Sequence, residues 1–445
     1  MIRRALMAAL LGLAAGPAMA APCTGTLCNA DELAPVFRKL ATARGNRGNR
    51  PVHILQIGDS HTAGDAITGA WRDLLQARYG GGGRGVLAAG RPYAGYLTRG
   101  VTATMSAGWR VNASFGAGSA SPRPAIGVAG FSLTSTTPGA SVSLASDGGQ
   151  NFDRFVLCAI AQPGAGSLTV RIGAAESRFD LDSNTQRPQC RTFALDRPNG
   201  LVTVTADERP VTITSWATFR DDGGVALSNV GVVGSQLMHF ARTDDAVLAE
   251  EFRSYRPDMI VLAFGTNEGF SPSVSPFGYE STLRSAIGRL RRLAGNVPIL
   301  LLGAPDAASR QPALRNNAPG AAIACTVAAA PVAAPPPQDM DATIAALAAG
   351  GAATPAPAVQ PLASGLFVPP GMQVVRDIQR KIAGELNLAF WDWGARMGGA
   401  CSAPKWVRGT PARMRGDYVH FNSAGGRDLA TRLQADLDAA GMPAR

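Results

Sequence analysis

The sequence has few histidines, and no basic block of the kind that binds nucleic acid. Its four histidines, at positions 53, 61, 239 and 420, are scattered and do not form a metal site with the cysteines. The net charge is +10, but lysine and arginine are dispersed along the chain. The glycine-rich run at 80–85, GGGGRG, lacks the Gly-Lys-Ser/Thr ending of a phosphate-binding loop. These absences predict no metal, no organic cofactor and no nucleic-acid partner.

Long apolar runs are also absent, apart from one short stretch at the N-terminus. Residues 1–20, MIRRALMAALLGLAAGPAMA, have two arginines, an apolar stretch and then Ala18-Met19-Ala20, which is typical of a secretory signal. The stretch is too short to cross a bilayer core of about 30 Å. We therefore expect cleavage after Ala20 and no stable membrane span. The mature protein is expected to be exported to the periplasm, with the cell wall or outer membrane as places of association.

Removal of the two signal arginines lowers the net charge from +10 to +8 (10 − 2). A basic exported protein favours anionic surfaces such as cell-wall polymers. Six cysteines in such a chain favour disulfides. They are Cys23, Cys28, Cys158, Cys190, Cys325 and Cys401. Their order suggests the pairs 23–28, 158–190 and 325–401, but spacing alone leaves many pairings open.

Strands alternate with helices in two separate parts of the chain. After an N-terminal helix and linker (21–50), residues 51–99 begin with the strand VHILQIG and an amphipathic helix, and the alternation returns in 226–445. This pattern predicts an α/β fold with a doubly wound, mostly parallel sheet. Within the second part, residues 326–363 are rich in alanine and proline and low in complexity. They are expected to be a surface excursion.

The segment between these two parts has a different composition. Residues 100–225 are rich in serine, threonine, valine and glycine, and short alternating runs such as GSLTVRI and GLVTVTA recur between turn residues. Helical patterns are almost absent. The segment is therefore predicted to be an inserted antiparallel β-sandwich.

Polar residues follow several predicted strands of the α/β part, where ligands of an open sheet bind. Ser60, Gly234 and Asn267 each follow a strand, and Asp417 and His420 lie on the loop before the last helix. Each of these residues taken alone is typical of an ordinary turn, but together they predict a nucleophilic site. A serine needs a base, and Asp417 is well spaced to orient His420 for that role. The Ser60 and Gly234 N–H groups and the Asn267 amide are candidate oxyanion donors.

Two choices within this site stay open at the level of sequence. His61 directly follows Ser60, but neighbouring residues on a tight turn tend to point apart, so a supporting role is favoured over that of a base. The run NVGVVGSQ offers Gly231 as well as Gly234 as an oxyanion donor.

The ordered blocks resemble the SGNH (GDSL-like) hydrolase family. The resemblance rests on Gly58-Asp59-Ser60 after an apolar strand, Gly234, Gly265-Thr266-Asn267-Glu268 and Asp417-x-x-His420. It implies a serine esterase with Ser60 as nucleophile, His420 as base and Asp417 as its orienting carboxylate. Gly234 and Asn267 would complete the oxyanion hole. The chain departs from the family pattern at His61, where leucine is usual, and at Glu268, where aspartate is expected.

A narrower resemblance is carried by GDSHTAGD, GGGGRGVLAAGRPYAGY, GVVGSQ, AFWDWGARMGG and DYVHF, which together look like bacterial peptidoglycan O-acetylesterases. In that group a β-sandwich similar to a carbohydrate-binding module interrupts the catalytic domain. The implied reaction removes the acetyl ester from the 6-hydroxyl of N-acetylmuramoyl residues through an acetyl-enzyme. Three alternatives stay open: an O-acetyltransferase, an esterase for another acylated polysaccharide or a lipid, and a glycan-binding protein without turnover.

Overall fold

The computed structural model describes most of the chain. The described residues are 23–43, 49–96, 98–116, 125–271, 274–310, 323–325 and 365–444. The predicted signal segment (1–20) and the alanine- and proline-rich excursion (326–363) lie outside them.

Short strands outnumber helices in the described residues. The strands are β1 (Cys23–Thr24), β2 (Leu27–Cys28), β3 (Val52–Gly58), β4 (Gly85–Leu87), β5 (Val101–Met105), β6 (Trp109–Ala113), β7 (Phe131–Ser135), β8 (Ser141–Ser146), β9 (Phe152–Ala161), β10 (Ser167–Ile172), β11 (Ala175–Asp180), β12 (Arg187–Asn199), β13 (Leu201–Ala206), β14 (Val211–Phe219), β15 (Val225–Gly231), β16 (Met259–Ala263), β17 (Ile299–Leu302), β18 (Ile323–Cys325), β19 (Leu366–Val368) and β20 (Ala389–Trp391).

The helices cluster before residue 80 and after residue 236. They are α1 (Ala34–Ala41), α2 (Ser60–Ala63), α3 (Ala66–Tyr79), α4 (Leu237–Phe240), α5 (Asp245–Tyr255), α6 (Thr266–Phe270), α7 (Pro276–Ala294), α8 (Pro370–Glu385), α9 (Trp393–Met397), α10 (Ser402–Arg408) and α11 (Ser423–Ala439), with single 3₁₀ turns at Ala30–Leu33 and Gly148–Gln150.

The central sheet is mostly parallel, as the alternation of strands and helices predicts. Its strand order is β1-β2-β20-β17-β16-β3-β15, and the five strands from β20 to β15 run parallel. All seven residues of β3 are buried, which fits a strand covered on both faces. Gly58, at the end of β3, lies opposite Gly231 of β15 and Ala263 of β16. The three strands therefore end together at one edge of the sheet.

Each face of this sheet packs against helices. On one face Ile54 packs in a hydrophobic cluster with Trp71 of α3 and Leu433 of α11. On the other face Leu55 belongs to a cluster with residues of α5, α7 and α8, among them Phe252. Successive residues of a strand point to opposite faces, so the buried apolar residues of β3 supply both clusters.

Two antiparallel sheets are built from the strands between β3 and β15. One has the order β11-β10-β13-β8-β5. The other has the order β12-β9-β14-β7-β6, with β4 paired to β14. Apolar residues of both sheets share one cluster, including Leu144 and Leu168 from the first and Phe155 and Trp216 from the second. Antiparallel strands were predicted for 100–225, but β4 lies before that range and joins them through Trp216 and Leu87.

Three disulfides join the cysteines in sequence order. Cys23 pairs with Cys28 across a hairpin, Cys158 with Cys190 between β9 and β12, and Cys325 with Cys401. Cross-links of this kind limit the freedom of the unfolded chain and persist in oxidising compartments, so they are consistent with an exported protein. In the described part of the chain, no helix combines the length and the apolar character that a membrane crossing requires.

Candidate active site

The predicted nucleophile lies on a tight turn at the end of β3. Asp59 caps the short helix α2, since its carboxylate accepts a hydrogen bond from His61 N at 2.9 Å and its carbonyl accepts one from Ala63 N at 2.9 Å. A side chain at Gly58 would lie 2.4 Å from the carbonyl oxygen of Ala263, so only glycine fits where the strand turns. Ser60 is left in the first helical turn, where backbone N–H groups have no intrahelical partner.

Of the three residues predicted to form a triad, His420 lies within hydrogen-bond distance of both others. His420 Nε2 is 3.0 Å from Ser60 Oγ, and His420 Nδ1 is 2.8 Å from Asp417 Oδ2. Because a carboxylate only accepts, Nδ1 carries the proton and Nε2 accepts from the Ser60 hydroxyl. This is the arrangement in which a histidine takes a proton from serine. The catalytic roles stay predictions, which activity measurements on variants test.

Asp417 is held as an anion by its own loop. Its Oδ1 accepts from the N–H groups of Val419 and His420, each at 2.9 Å, while Oδ2 faces the imidazole. Burial would raise the pKa of the Asp417 carboxyl, but the hydrogen bonds and the charge of His420, together with the Val419 N–H, outweigh it and lower the pKa to about 2. The carboxylate therefore stays charged across the working range of a histidine base.

Gly234 and Asn267 are linked through Ser235, which follows Gly234 in the chain. Asn267 Nδ2 donates to Ser235 O at 2.9 Å, and the Gln236 side chain donates to Asn267 O at 3.1 Å. An amide has a second N–H, which is the predicted oxyanion donor of Asn267. Gly234 has φ +74°, in the left-handed region that favours glycine. Gly231 lies within β15, packed beneath the turn where a Cβ would be 2.6 Å from Asp59 O, which favours Gly234 as the donor.

Glu268, one of the two departures from the family pattern, is a buried carboxyl that supports this corner. Its Oε1 accepts from Leu237 N at 2.6 Å. Burial raises the pKa of Glu268 to about 7, although hydrogen bonds from the Leu237, Glu268 and Gly265 backbone lower it. Together with Asn267 it joins the end of β16 to the turn after β15, so it braces the predicted oxyanion donors.

A small cavity opens at Ser60 and His420. Its volume is about 30 Å³. The rest of its lining is mostly apolar: His61, Ala63, Gly64, Ala66, Ile67, Tyr93, Val233, Arg415 and Phe421. Sequence reasoning did not identify Tyr93, Val233 or Arg415 as site residues. Val233 and Tyr93 lie in quoted motifs, but their apolar or aromatic side chains carry no chemical signal of a catalytic site, and Arg415 reaches the site only through the fold.

Phe115 is another residue that only the fold reveals. It follows β6 of the antiparallel sheets, yet its ring stacks on His239 with centroids 4.3 Å apart. A Cβ at Gly234 would lie 2.9 Å from the Phe115 ring. The antiparallel region therefore contributes a wall to the predicted oxyanion turn.

A buried polar network lies behind the nucleophile helix. Asp65 accepts from Arg72 Nη2 at 2.9 Å and from Arg84 Nη2 at 3.2 Å. Both arginines also donate to Asn229 Oδ1, whose amide nitrogen donates to Thr62 O at 2.9 Å. The network ties the turn after Ser60 to β15 and to the glycine-rich loop. Among the described residues, no group of histidine, cysteine, aspartate and glutamate side chains is placed to hold a metal ion.

Replacing Gly234 by alanine is expected to lower kcat roughly 10- to 100-fold, because the new methyl group meets Phe115 and displaces an oxyanion donor. The measurement is hydrolysis of a small acetyl ester. Gly139→Ala is the matched control, since Gly139 has φ +77° with nothing within 4 Å of the added Cβ. Equal activity in the two variants would contradict the role of Gly234.

Comparison with solved structures shows a similarity that extends over almost the whole chain. A structure of a peptidoglycan O-acetylesterase is 22% identical and covers 93% of this chain and 99% of its own, with a TM-score of 0.68. This likeness shows a shared fold. No family model matches the sequence, and no curated protein matches it.

Two further similar structures align less well. An acetyl xylan esterase is 16% identical, with 47% of this chain and 80% of its own covered and a TM-score of 0.28. A family two carbohydrate esterase from Clostridium thermocellum is 11% identical, with 75% and 98% covered and a TM-score of 0.25. At these TM-scores the two similarities support no argument about this chain.

Proposed function

We propose that this chain, which has the fold of the SGNH hydrolases, is a serine esterase that removes acetyl groups from a cell-wall polysaccharide. The observation that carries the proposal is the hydrogen-bonded series Ser60–His420–Asp417 at the mouth of a small apolar cavity. A glycan-binding protein without turnover has no need of a serine paired with an oriented base.

In the first half of the reaction, Ser60 Oγ attacks the carbonyl carbon of the acetyl ester while His420 Nε2 takes the hydroxyl proton. Asp417 stabilises the resulting imidazolium. The negative charge on the former carbonyl oxygen is held by the N–H groups of Ser60 and Gly234 and by the Asn267 amide. The C–O bond to the sugar then breaks, and His420 returns its proton to the leaving sugar oxygen. The product is acetyl-Ser60.

In the second half, a water molecule replaces the sugar. His420 takes a proton from the water, whose oxygen attacks the acetyl carbonyl carbon, and the same donors hold the charge. The bond to Ser60 Oγ breaks, and the proton on His420 returns to that oxygen. Acetate leaves and the enzyme regains its starting state.

The acyl group is proposed to be acetyl because the space beside Ser60 is small. The cavity of about 30 Å³ is narrowed by Ile67, Tyr93 and Phe421. An acetyl group adds only a methyl beyond the carbonyl, whereas a fatty acyl chain needs a long apolar groove.

The alcohol part is proposed to be peptidoglycan acetylated on the 6-hydroxyl of N-acetylmuramoyl residues. The similar fold belongs to an enzyme described as a peptidoglycan O-acetylesterase, and the surplus of basic residues suits an anionic polymer. We further propose that residues 100–225 are an inserted β-sandwich akin to a carbohydrate-binding module, placed between the catalytic parts 51–99 and 226–445. The proposed location is the periplasm.

Acetate release from O-acetylated peptidoglycan tests the substrate. The same material stripped of acetyl by mild base is the matched control, and acetylated xylan is the competing substrate. We expect O-acetylated peptidoglycan to be the only material that releases acetate, or to release far more acetate than the other two. Preference for acetylated xylan would overturn the peptidoglycan assignment, and acetyl transfer to added sugar acceptors without acetate release would assign a transferase.

A further inference from the structure

We propose that His61 is a positioning residue for this reaction, whose imidazole clamps the loop that carries His420 onto the turn that carries Ser60. The inference rests on the proposed function, because the distance it maintains matters only if Ser60 and His420 react together. His61 is 7% exposed, and it follows the nucleophile directly in sequence.

Two hydrogen bonds cross between the same two segments. Ser60 reaches His420 at 3.0 Å, and the next residue, His61, reaches the carbonyl of Val419 through Nε2 at 3.0 Å. Val419 immediately precedes His420. The bond from His61 to the backbone therefore runs beside the reactive one and persists while the proton of Ser60 moves.

The imidazole of His61 contacts three consecutive residues of the base loop. Besides the hydrogen bond to Val419, its ring centroid is 5.4 Å from that of His420 and 5.5 Å from that of Phe421. The ring of Trp393 packs edge-on against the ring of His61, with centroids 5.4 Å apart. A ring held on these sides limits how far the loop can shift relative to α2.

His61 is not placed to act as the base itself, because both of its nitrogens have other partners. A carbonyl only accepts, so Nε2 must donate its proton to Val419 O. Nδ1 lies 3.3 Å from Asp59 Oδ1 and 3.4 Å from Thr266 Oγ1. No ring nitrogen is left for the Ser60 hydroxyl, whose partner is His420.

The charges around His61 raise the pKa of its imidazole. Burial would lower the pKa of His61, but the hydrogen bond and charge of Asp59, the Val419 carbonyl and the charge of Asp417 outweigh it and raise the pKa. An imidazolium donates from both nitrogens, and charge-assisted hydrogen bonds are stronger than neutral ones. The two nitrogens of His61 therefore connect the carboxylate of Asp59, which caps the nucleophile turn, to the loop that carries His420.

Three variants separate clamping from packing. His61→Leu keeps the apolar contacts without a donor. In His61→Asn the amide lies near the position of Nδ1, and in His61→Gln it reaches the position of Nε2 and can still donate to Val419 O. We expect kcat for a small acetyl ester to fall roughly 10- to 100-fold in His61→Leu and His61→Asn, with little change in KM, since small displacements of reacting groups are costly. His61→Gln should retain most of the activity.

A purely structural role predicts a different order, with the leucine variant the most active, and that order would overturn the proposal. Thermal unfolding of each variant checks that the chain is folded, and the Asn and Gln variants decide the question if His61→Leu does not fold.

A crystal structure of His61→Leu, or of His61→Asn if the leucine variant does not fold, makes the test independent of the substrate. The Ser60 Oγ–His420 Nε2 distance is expected to lengthen beyond hydrogen-bond range. An unchanged separation, with the loop in place, would refute the clamp. If the wild-type protein hydrolyses no acetyl ester, the proposed function fails, while this distance still decides the role of His61.

Discussion

Replacing Ser60 by alanine is expected to abolish acetate release, with a loss of roughly 10⁴- to 10⁶-fold in kcat. The variant lacks the oxygen that forms the acetyl-enzyme, so only the oxyanion donors and substrate binding can still assist attack by water. The change removes one buried oxygen at the surface of a cavity, and the fold should survive it. Acetate release from an acetyl ester and from O-acetylated polysaccharide measures the effect.

Two controls make this result specific. Ser285 is exposed on α7, so Ser285→Ala should keep wild-type activity. A fluorophosphonate probe should label the wild-type protein at Ser60 and leave Ser60→Ala unlabelled. Wild-type turnover in Ser60→Ala, or unchanged labelling, would rule out the proposed mechanism.

Replacing Asp65 by asparagine is expected to cost roughly 3–5 kcal/mol of unfolding free energy at neutral pH. Asp65 is fully buried and pairs with Arg72 and Arg84, both of which are also buried. Asparagine leaves two guanidinium groups in the interior without a compensating charge. Urea unfolding of the two proteins measures the difference.

The effect of Asp65 should also depend on pH in a defined direction. Burial would raise the pKa of Asp65, but Arg72, Arg84 and the hydrogen bond from Thr68 outweigh it and lower the pKa from 3.8 to about 2. A lowered folded-state pKa means that the stabilisation is fully present above about pH 4 and is lost as the pH falls through 2. This pKa shift corresponds to ~2 kcal/mol of unfolding free energy. The difference in unfolding free energy between wild type and Asp65→Asn should therefore become smaller as the pH falls.

A surface ion pair provides the matched control for this prediction. Asp73 pairs with Arg99 at 2.8 Å, and the side chains of both are half exposed. Asp73→Asn should change the unfolding free energy by less than about 1 kcal/mol. A loss in Asp65→Asn no larger than that in Asp73→Asn would show that the buried network does not stabilise the fold.

The fold class and the main site residues were accessible from sequence because their signals are local. A fully buried parallel strand is expected to be predominantly apolar, and β3 is so apart from His53 and Gln56. The residue after such a strand is predicted to lie at the ligand-binding edge, which places Ser60, and the spacing Asp417-x-x-His420 fits one short loop. The structure brings these three residues into hydrogen-bond distance, and their catalytic roles stay predictions.

Other features of the site had no local signal. Tyr93 lies in the part predicted to be α/β (51–99) and Phe115 in the predicted antiparallel insert (100–225), yet they line the cavity and the oxyanion turn. Asp65 and Arg84 read as ordinary loop residues, although they form a buried ion pair. Long-range packing decides such contacts, since it brings together residues whose separation in sequence carries no periodicity.

His61 shows where the division between sequence and structure falls. The sequence alone determines that a histidine stands next to the predicted nucleophile and that a second histidine stands on a loop 360 positions later, because a motif is a property of neighbouring residues. Only the tertiary structure decides which one faces Ser60. The order of β3, β15 and β16 sets the edge where these loops meet, and the hydrogen bonds of that edge direct His420 to the serine and His61 to the backbone of Val419.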